Sequence, residues 1–443
     1  MLQKNAARNT QLVRMINKYD EEYMVLIDKE KNKIFLKWFL VVIKVLAIIF
    51  LLSRIFLAMV NECIPGALEN PLGSMDFKWD AAKLYSEHIN PNEESLFRNH
   101  PGAERYSEYY EKVSIEEFPS MTMLLLPYTV FDPVQAKKAW FISNIVFLIL
   151  LIVCLRNTVF SELNNLDAAI WCLILGGSIP VRNVFIMGQH LIFSLSFFML
   201  SVYLSELGER YNKRKLTYAA GIILGLSYFK YSVIFGLALF FIYKKWFVQI
   251  IESIALHVIL MIFSVFWLKT SLINAIVYPL RYSIETDSGS GYMDLMKAFE
   301  TYGLCYYPVF FVLVALLFII TIRRKDDDSN RMLSLYSLFS IILLYHHEYD
   351  YFVLIIPLFY FANSIIKNYK TYNPVVLMIQ LTGVLAIWFI MWHDVIISHL
   401  GIHYGGEMWG GTIYNIMHYG LWLLSFYLLV FELHHTFLKK DNI

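Results

Sequence analysis

Apolar runs of about 20 residues recur along most of this 443-residue chain, and they restrict its fold more than any other feature. A helix needs about that many residues to cross the hydrocarbon core of a bilayer, where every backbone polar group must be hydrogen-bonded within the protein. Only 16% of the residues are charged, against about 25% in an ordinary soluble domain. The sequence therefore predicts an all-α, polytopic integral membrane protein.

The loops between the apolar runs indicate how often the chain crosses the membrane. Basic loops face the cytoplasm, and Lys and Arg gather here in "ERYNKRK", "YKKW", "RRKDDDSNR" and "KNYK". About 12 transmembrane helices place all four loops there, together with an N-terminal tail (1–34) and a C-terminal tail (434–443). Residues 35–433 then form one membrane domain. Its spans are expected to begin near Phe35, Lys138, Leu166, Gln189, Leu216, Tyr231, Trp246, Leu304, Met332, Tyr351, Tyr372 and Thr412.

The segment "GIILGLSYFKYSVIFGLALFF" (221–241) carries Lys230 inside an apolar run. A charge at the centre of a bilayer costs about 3 kcal/mol or more. Basic clusters flank the segment on both sides, so a single crossing would leave one of them outside the cell. Two short helices that bend at Lys230 keep both clusters in the cytoplasm. Lys230 is therefore expected at the outer tip of a helical hairpin, in a water-filled cavity.

The same topology places the long loop 59–118 on the outer side. This loop holds 12 acidic and 5 basic residues, the opposite balance to the cytoplasmic loops. Within it, "SMDFKWDAAKLYSEHI" has the spacing of a short amphipathic helix that lies at the surface. The following "FPSMTMLLLPYTVF" is apolar but shorter than a span, which predicts a re-entrant or interfacial segment.

Polar side chains gather on the predicted outer face, and ionisable residues at a membrane edge are functional candidates. A carboxylate beside several cations suits one chemistry, in which the carboxylate removes a proton from an attacking hydroxyl and the cations stabilise a phosphate leaving group. Plainer interpretations stay open: a solvated helix face for the aspartates, a lysine that reaches the headgroups, and histidines that cap a helix. The candidates are Asp76, Asp80, Arg182, Gln189, Lys230, Arg281, His346, His347 and Asp350.

Four motifs occur in an order that resembles glycosyltransferase family 87, a family of multispan enzymes in the GT-C superfamily. The first two are "DFKWDAA", soon after the first span, and "FPSMTMLLLPYTVFDPVQAKKAW", which precedes the second. A Gly-Gln pair opens a span in "GQHLIFSL", and a lysine follows a short helix in "AAGIILGLSYFKYS". The resemblance covers roughly residues 70–250 and extends more weakly to 360. The chain departs from the family pattern at Asp80, at Ser120 and directly after Lys230.

The resemblance implies a hexosyltransferase that takes a mannose-like sugar from a polyprenyl-phosphate donor and passes it to a lipid or glycan acceptor. It further implies that Asp76 is the general base and that Lys230 holds the donor phosphate, with neither metal nor cofactor required. The residues expected to assist Lys230 are His346, His347 and Arg281, and the other site candidates are Asp80, Gln189, Arg182 and Asp350. The implied location is the outer face of a bacterial plasma membrane, as part of the cell envelope. The net charge of +1 indicates no nucleic-acid partner.

Two other functions also fit a membrane protein with an ionisable cavity. A transporter or flippase would use such a cavity, but transporters usually contain internal repeats, and none is detectable here. A GT-C-like polymerase or ligase with diphosphate-linked donors is the second alternative. If it used a metal, it would need a second acidic cluster outside, to which Asp80 and Glu87 could contribute.

Overall fold

The structure is a computed structural model. It describes residues 33, 35–68, 79–91, 118–286, 295–324, 328–344, 346–399 and 407–437, and every regular element within these ranges is helical. Most of the two predicted tails, most of loop 59–118 and Asp76 lie outside the described residues.

Sixteen helices are labelled here in chain order, and short turns connect several of them. The helices are α1 (Phe35–Leu68), α2 (Trp79–Ser86), α3 (Pro133–Asn157), α4 (Asn165–Gly176), α5 (Ile179–Met187), α6 (Leu191–Arg210), α7 (Arg214–Ser227), α8 (Tyr231–Tyr243), α9 (Phe247–Leu268), α10 (Leu272–Thr286), α11 (Leu295–Thr301), α12 (Tyr307–Arg323), α13 (Ser329–Ile342), α14 (Ile355–Asn368), α15 (Pro374–His399) and α16 (Glu407–Phe437). The short helical turns are Pro119–Thr122, Met123–Val130, Tyr228–Lys230 and Glu348–Leu354.

The helices of the described ranges confirm a polytopic membrane fold. Eight helical stretches are long and apolar enough to cross a membrane, or nine if α4 and α5, which meet at 48°, form one bent span. The predicted number of twelve stays a prediction. Helix α12 is apolar but has only 17 residues, α13 has 14, and α7 with α8 counts as a single stretch of 30 residues by length and composition.

Helices α7 and α8 nevertheless form the hairpin that the loop charges predict. The Nε1 of Trp246, just after α8, donates to Oε1 of Glu209 at 2.6 Å, so the far end of α8 lies beside the end of α6, where α7 begins. The backbone N–H of Lys230 donates to Oγ of Ser194 at 2.9 Å, near the opposite end of α6. Both arms therefore end on one side of the protein, and the bend at Lys230 lies on the other.

Contacts between distant loops bring the four basic segments together. Lys244 of "YKKW" donates to Oγ of Ser329 in "RRKDDDSNR" at 3.0 Å. Asn330 donates to a carbonyl of the loop between α3 and α4, and Lys367 of "KNYK" lies 3.4 Å from Glu162 in that same loop. We call this the basic side and the opposite one the Lys230 side. The gathering of the basic loops on one side agrees with the predicted topology.

Two segments were predicted to lie on the outer side without crossing the membrane. Both pack on the Lys230 side. The predicted amphipathic helix is α2, and its apolar face rests against α9. Tyr85 donates its hydroxyl to Oγ of Ser264 at 2.8 Å, and Trp267 donates to the backbone oxygen of Tyr85 at 2.8 Å. The segment Pro119–Val130, predicted to be re-entrant or interfacial, forms two short helical turns next to α2.

A buried ionic cluster fastens α13 to α16 on the basic side. Glu432 is fully buried, and its two carboxylate oxygens lie 3.0 Å from Nε of Arg324 and 2.7 Å from Nε of Arg331. One buried carboxylate therefore contacts two largely buried guanidinium groups, and Asp328, 3.5 Å from Arg331, adds a second negative charge.

A Glu432→Ala variant is expected to lose several kcal/mol of stability, about 3–5 kcal/mol, because removing one partner leaves buried charge uncompensated. The matched control is Lys367→Ala, which breaks the exposed pair with Glu162 and should cost about 0–1 kcal/mol. Thermal unfolding of the purified protein in detergent measures both. Equal effects of the two substitutions would show that the buried cluster is not a stability determinant.

Candidate active site

Lys230 lies at the tip of the α7–α8 hairpin, where the chain leaves helical geometry. Its backbone has φ −106° and ψ 71°, which ends the turn Tyr228–Lys230 before α8 begins. The side chain is half-buried, and its Nζ lies 5.2 Å from the ring centroid of Tyr349. A cation over an aromatic face is attracted by the ring quadrupole, so Tyr349 stabilises the ammonium group there.

Tyr349 belongs to the segment 346–350, which the predicted site also includes. Oδ2 of Asp350 accepts a hydrogen bond from the backbone N–H of His347 at 2.9 Å, and the N–H of Asp350 donates to the oxygen of His347 at 2.9 Å. This reciprocal pair closes the turn at the start of Glu348–Leu354. The ring of His347 lies 4.9 Å from that of Tyr349. Lys230 and His347 therefore both contact Tyr349.

The neighbouring His346 points into the protein instead. Its Nε2 lies 2.8 Å from the hydroxyl of Tyr351, and that hydroxyl also bonds to Nε2 of His418 on α16. Burial, together with the smaller effect of the nearby histidines His418 and His347, lowers the pKa of His346 to about 3. The imidazole is thus neutral at neutral pH and supplies no positive charge. The structure separates two adjacent histidines that the sequence left equivalent.

The "GQH" motif packs against the turn that contains Lys230. Gly188 has φ 70°, which glycine adopts without strain, and its oxygen accepts a hydrogen bond from Trp140 at 2.8 Å. Gln189 is buried, and the ring of His190 lies 5.2 Å from Trp140 and 4.2 Å from Phe229. Because Phe229 directly precedes Lys230, this motif helps fix the position of the turn.

Helix α2, which follows Asp76 in the sequence, packs against the same aromatic residues. Trp79, the first residue of α2, shares a buried cluster with Trp140 and Phe229. Asp80 is half-buried, and its Oδ1 accepts a hydrogen bond from the backbone N–H of Ala81 at 2.8 Å. The start of α2 is therefore adjacent to the Lys230 turn.

Two further candidate cations belong to other helices. Arg182 is buried in α5 and forms an ion pair with Glu62 of α1. Arg281 is exposed on α10. Helix α5 still supports the site through the next residue, because Nδ2 of Asn183 donates to Oε2 of Glu348 at 3.3 Å.

Sequence reasoning missed several residues of this region. Tyr349 carried no signal, because an aromatic residue is ordinary near a membrane surface. Glu62 entered the sequence analysis only as one of the acidic residues of loop 59–118. Its carboxylate lies at the end of the first apolar run, and ionisable residues at a membrane edge are functional candidates, so this position was a usable signal. Among the described residues, no group of three or more His, Cys, Asp and Glu side chains is placed to hold a metal ion.

The fold and this arrangement define an integral membrane protein with a cation-bearing site beside the short helix α2. Comparison with protein families then identifies its class, because the sequence model of glycosyltransferase family 87 matches residues 119–345, about half of the chain. The chain belongs to glycosyltransferase family 87 and is a membrane glycosyltransferase. Comparisons with curated proteins and with solved structures give no match.

Proposed function

We propose that this glycosyltransferase moves a hexose, with mannose favoured, from a polyprenyl-phosphate donor to a lipid or glycan acceptor. The observation that carries the proposal is the position of Lys230, half-buried at the tip of the hairpin and beside the ring of Tyr349. A family 87 enzyme needs a sugar donor, and an ammonium group held at this depth suits an anionic phosphate on a lipid.

In this proposal Lys230 binds the donor phosphate as a compact point charge with three donors. The hydrogen bond from its backbone to Ser194 and the contact with Tyr349 hold it in place before the donor arrives. His347 is the better placed histidine to assist, because it lies against Tyr349 whereas both ring nitrogens of His346 already have partners. Arg281 stays a candidate for the same role.

Asp76 is proposed as the general base. It precedes Trp79 by three residues, so covalent geometry keeps its Cα within about 11 Å of the Cα of Trp79. Trp79 in turn shares a buried cluster with Phe229, the neighbour of Lys230. This connection supports a shared site for Asp76 and Lys230.

The proposed step is a displacement at the anomeric carbon of the sugar. The acceptor hydroxyl oxygen bonds to that carbon, and the bond from the carbon to the donor phosphate oxygen breaks. The hydroxyl proton moves to the carboxylate of Asp76, and the lipid phosphate leaves with the electron pair. Lys230 stabilises the charge that develops on the departing phosphate.

The purified protein in proteoliposomes tests this function directly. With radiolabelled polyprenyl-phosphate mannose and a lipid extract as acceptor, we expect label to appear in a new glycolipid or glycan. Transfer from a polyprenyl-diphosphate sugar but not from the monophosphate would favour a polymerase or ligase. Movement of the labelled donor across the bilayer with no transfer would favour a flippase.

We further propose that the Lys230 side is extracytoplasmic in a bacterial plasma membrane. The native cysteines offer a probe: Cys305, at the Lys230-side end of α12, is exposed, whereas Cys63, Cys154 and Cys172 are buried. An impermeant maleimide should label the wild-type protein on intact cells but not a Cys305→Ser variant. On that background, Lys215→Cys, at an exposed basic-side position, should react only after permeabilisation. Labelling of Lys215→Cys on intact cells would invert the topology.

A further inference from the structure

A polar cavity opens on the basic side, away from the candidate active site. Its volume is about 920 Å³, within the range of small-molecule sites. The end of α6 lines it with Glu206, Glu209 and Arg210. Ser194, which contacts Lys230, precedes Glu206 by about 18 Å along α6. The cavity is therefore separate from the proposed donor site.

Hydrogen-bonding groups without net charge dominate the lining of the cavity. Two of its cations already have acidic partners, since Arg331 contacts Glu432 and Asp328, and Lys367 contacts Glu162. Amides carry both donors and acceptors, which suits hydroxyl groups. Five amide side chains line the cavity: Asn157, Asn330, Asn363, Asn368 and Gln380. Tyr360, Phe240 and Phe431 add aromatic faces.

Gln380 is a cavity-lining residue whose amide is only partly hydrogen-bonded within the described part of the chain. It is buried with 3% exposure, and its Nε2 donates to the hydroxyl of Tyr427 at 3.3 Å. Its Oε1 has no hydrogen-bond partner among the described residues. Gln380 and Tyr427 both line the cavity. Buried polar atoms are normally bonded, because an unmade hydrogen bond is costly. The amide of Gln380, a lining residue, therefore keeps hydrogen-bonding capacity that the described part of the protein does not use.

We propose that this cavity is a second binding site, which takes a neutral, hydroxyl-rich ligand of the saccharide class from the basic side. The amides and the Glu206 and Glu209 carboxylates accept and donate hydrogen bonds to hydroxyls, while the aromatic faces cover the apolar face of a sugar ring. The lining carries four acidic side chains and three basic ones, and this small net charge gives strongly charged ligands little advantage. This site is independent of the proposed donor chemistry on the Lys230 side.

Saccharide binding to the purified full-length protein tests the proposal. The detergent must lack a sugar headgroup, and the probes are glucose, mannose and maltose, followed by saturation-transfer NMR. We expect saturable binding of at least one probe, weakened about tenfold or more in Gln380→Met, which removes the amide but keeps the chain length. Asn363→Leu, at a half-buried lining position, is a second variant in case Gln380→Met does not fold.

Lys230→Gln serves as the control on the opposite side. It should leave saccharide binding unchanged, and Gln380→Met should leave binding of the polyprenyl-phosphate donor unchanged. Saccharide binding that is lost in Lys230→Gln but kept in Gln380→Met would assign the sugars to the donor site and overturn the proposal. So would the absence of saturable binding by all three probes, or saturable binding of spermidine in their place.

Discussion

An Asp76→Asn variant is expected to lower the rate of sugar transfer by about 10²–10⁴-fold, the usual loss when a general base is removed. Asparagine keeps the shape of the side chain but cannot accept the proton of the acceptor hydroxyl. The measurement is the initial rate of transfer from a polyprenyl-phosphate sugar, with donor affinity determined in parallel. The rate should fall while donor affinity changes little, because the base acts on the acceptor.

Asp80→Asn is the matched control for that experiment. Asp80 lies in the first turn of α2, four residues after Asp76 in the sequence, and its carboxylate already accepts a hydrogen bond from the N–H of Ala81. Its amide variant should keep most of the transfer rate. If Asp76→Asn retained full activity and Asp80→Asn lost it, the role of base would move to Asp80.

Lys230→Gln is expected to weaken donor binding by about 10-fold to 150-fold, the range for a hydrogen bond to a charged group. Glutamine keeps a donor but removes the positive charge that faces the phosphate. Lys230→Arg should restore binding only in part, because the guanidinium is larger and planar and must fit beside Tyr349. Donor binding is measured on detergent-purified protein with acceptor omitted, so that Asp76 does not contribute.

Lys244 at the other end of α8 supplies the control for Lys230. It bonds to Ser329 on the basic side, so Lys244→Gln removes the same charge from the same helix without affecting the donor site. A lysine that merely reaches the lipid headgroups should tolerate both arginine and glutamine. If a folded Lys230→Gln protein kept its donor affinity, Lys230 would serve only to fix the membrane topology of the hairpin. That result would favour a transporter.

Features that depend on local sequence were predictable. The α7–α8 hairpin followed from basic clusters on both sides of one apolar stretch, and the membrane fold followed from the apolar runs themselves. The position of α2 in the outer loop also followed from its spacing. In each case the feature is caused by the charge or hydropathy of a short stretch of neighbouring residues, which can be read directly from the sequence.

Features that depend on contacts between distant residues were not predictable. His346 and His347 are adjacent, and only the hydroxyl of Tyr351, bonded to His418 some 67 residues away, shows which of them points inward. Arg182, a site candidate, forms an ion pair with Glu62, which lies 120 residues earlier and which no local pattern connects to it. The amide-lined cavity left no sequence signal either, because several separate helices contribute to it.

The length of α8 bears on how the enzyme would distinguish its donor from other lipids. The helix has 13 residues and is thus about 20 Å long, whereas the hydrocarbon core of a bilayer is about 30 Å thick. If the basic end of α8 lies at one membrane surface and the helix runs along the membrane normal, Lys230 would lie about 10 Å below the other surface. Under the proposed function, a phosphate at the ordinary headgroup level would not reach it, and the donor would have to bring its phosphate down into the protein. Depth, rather than charge alone, would then separate the donor from the surrounding phospholipids, all of which carry a phosphate.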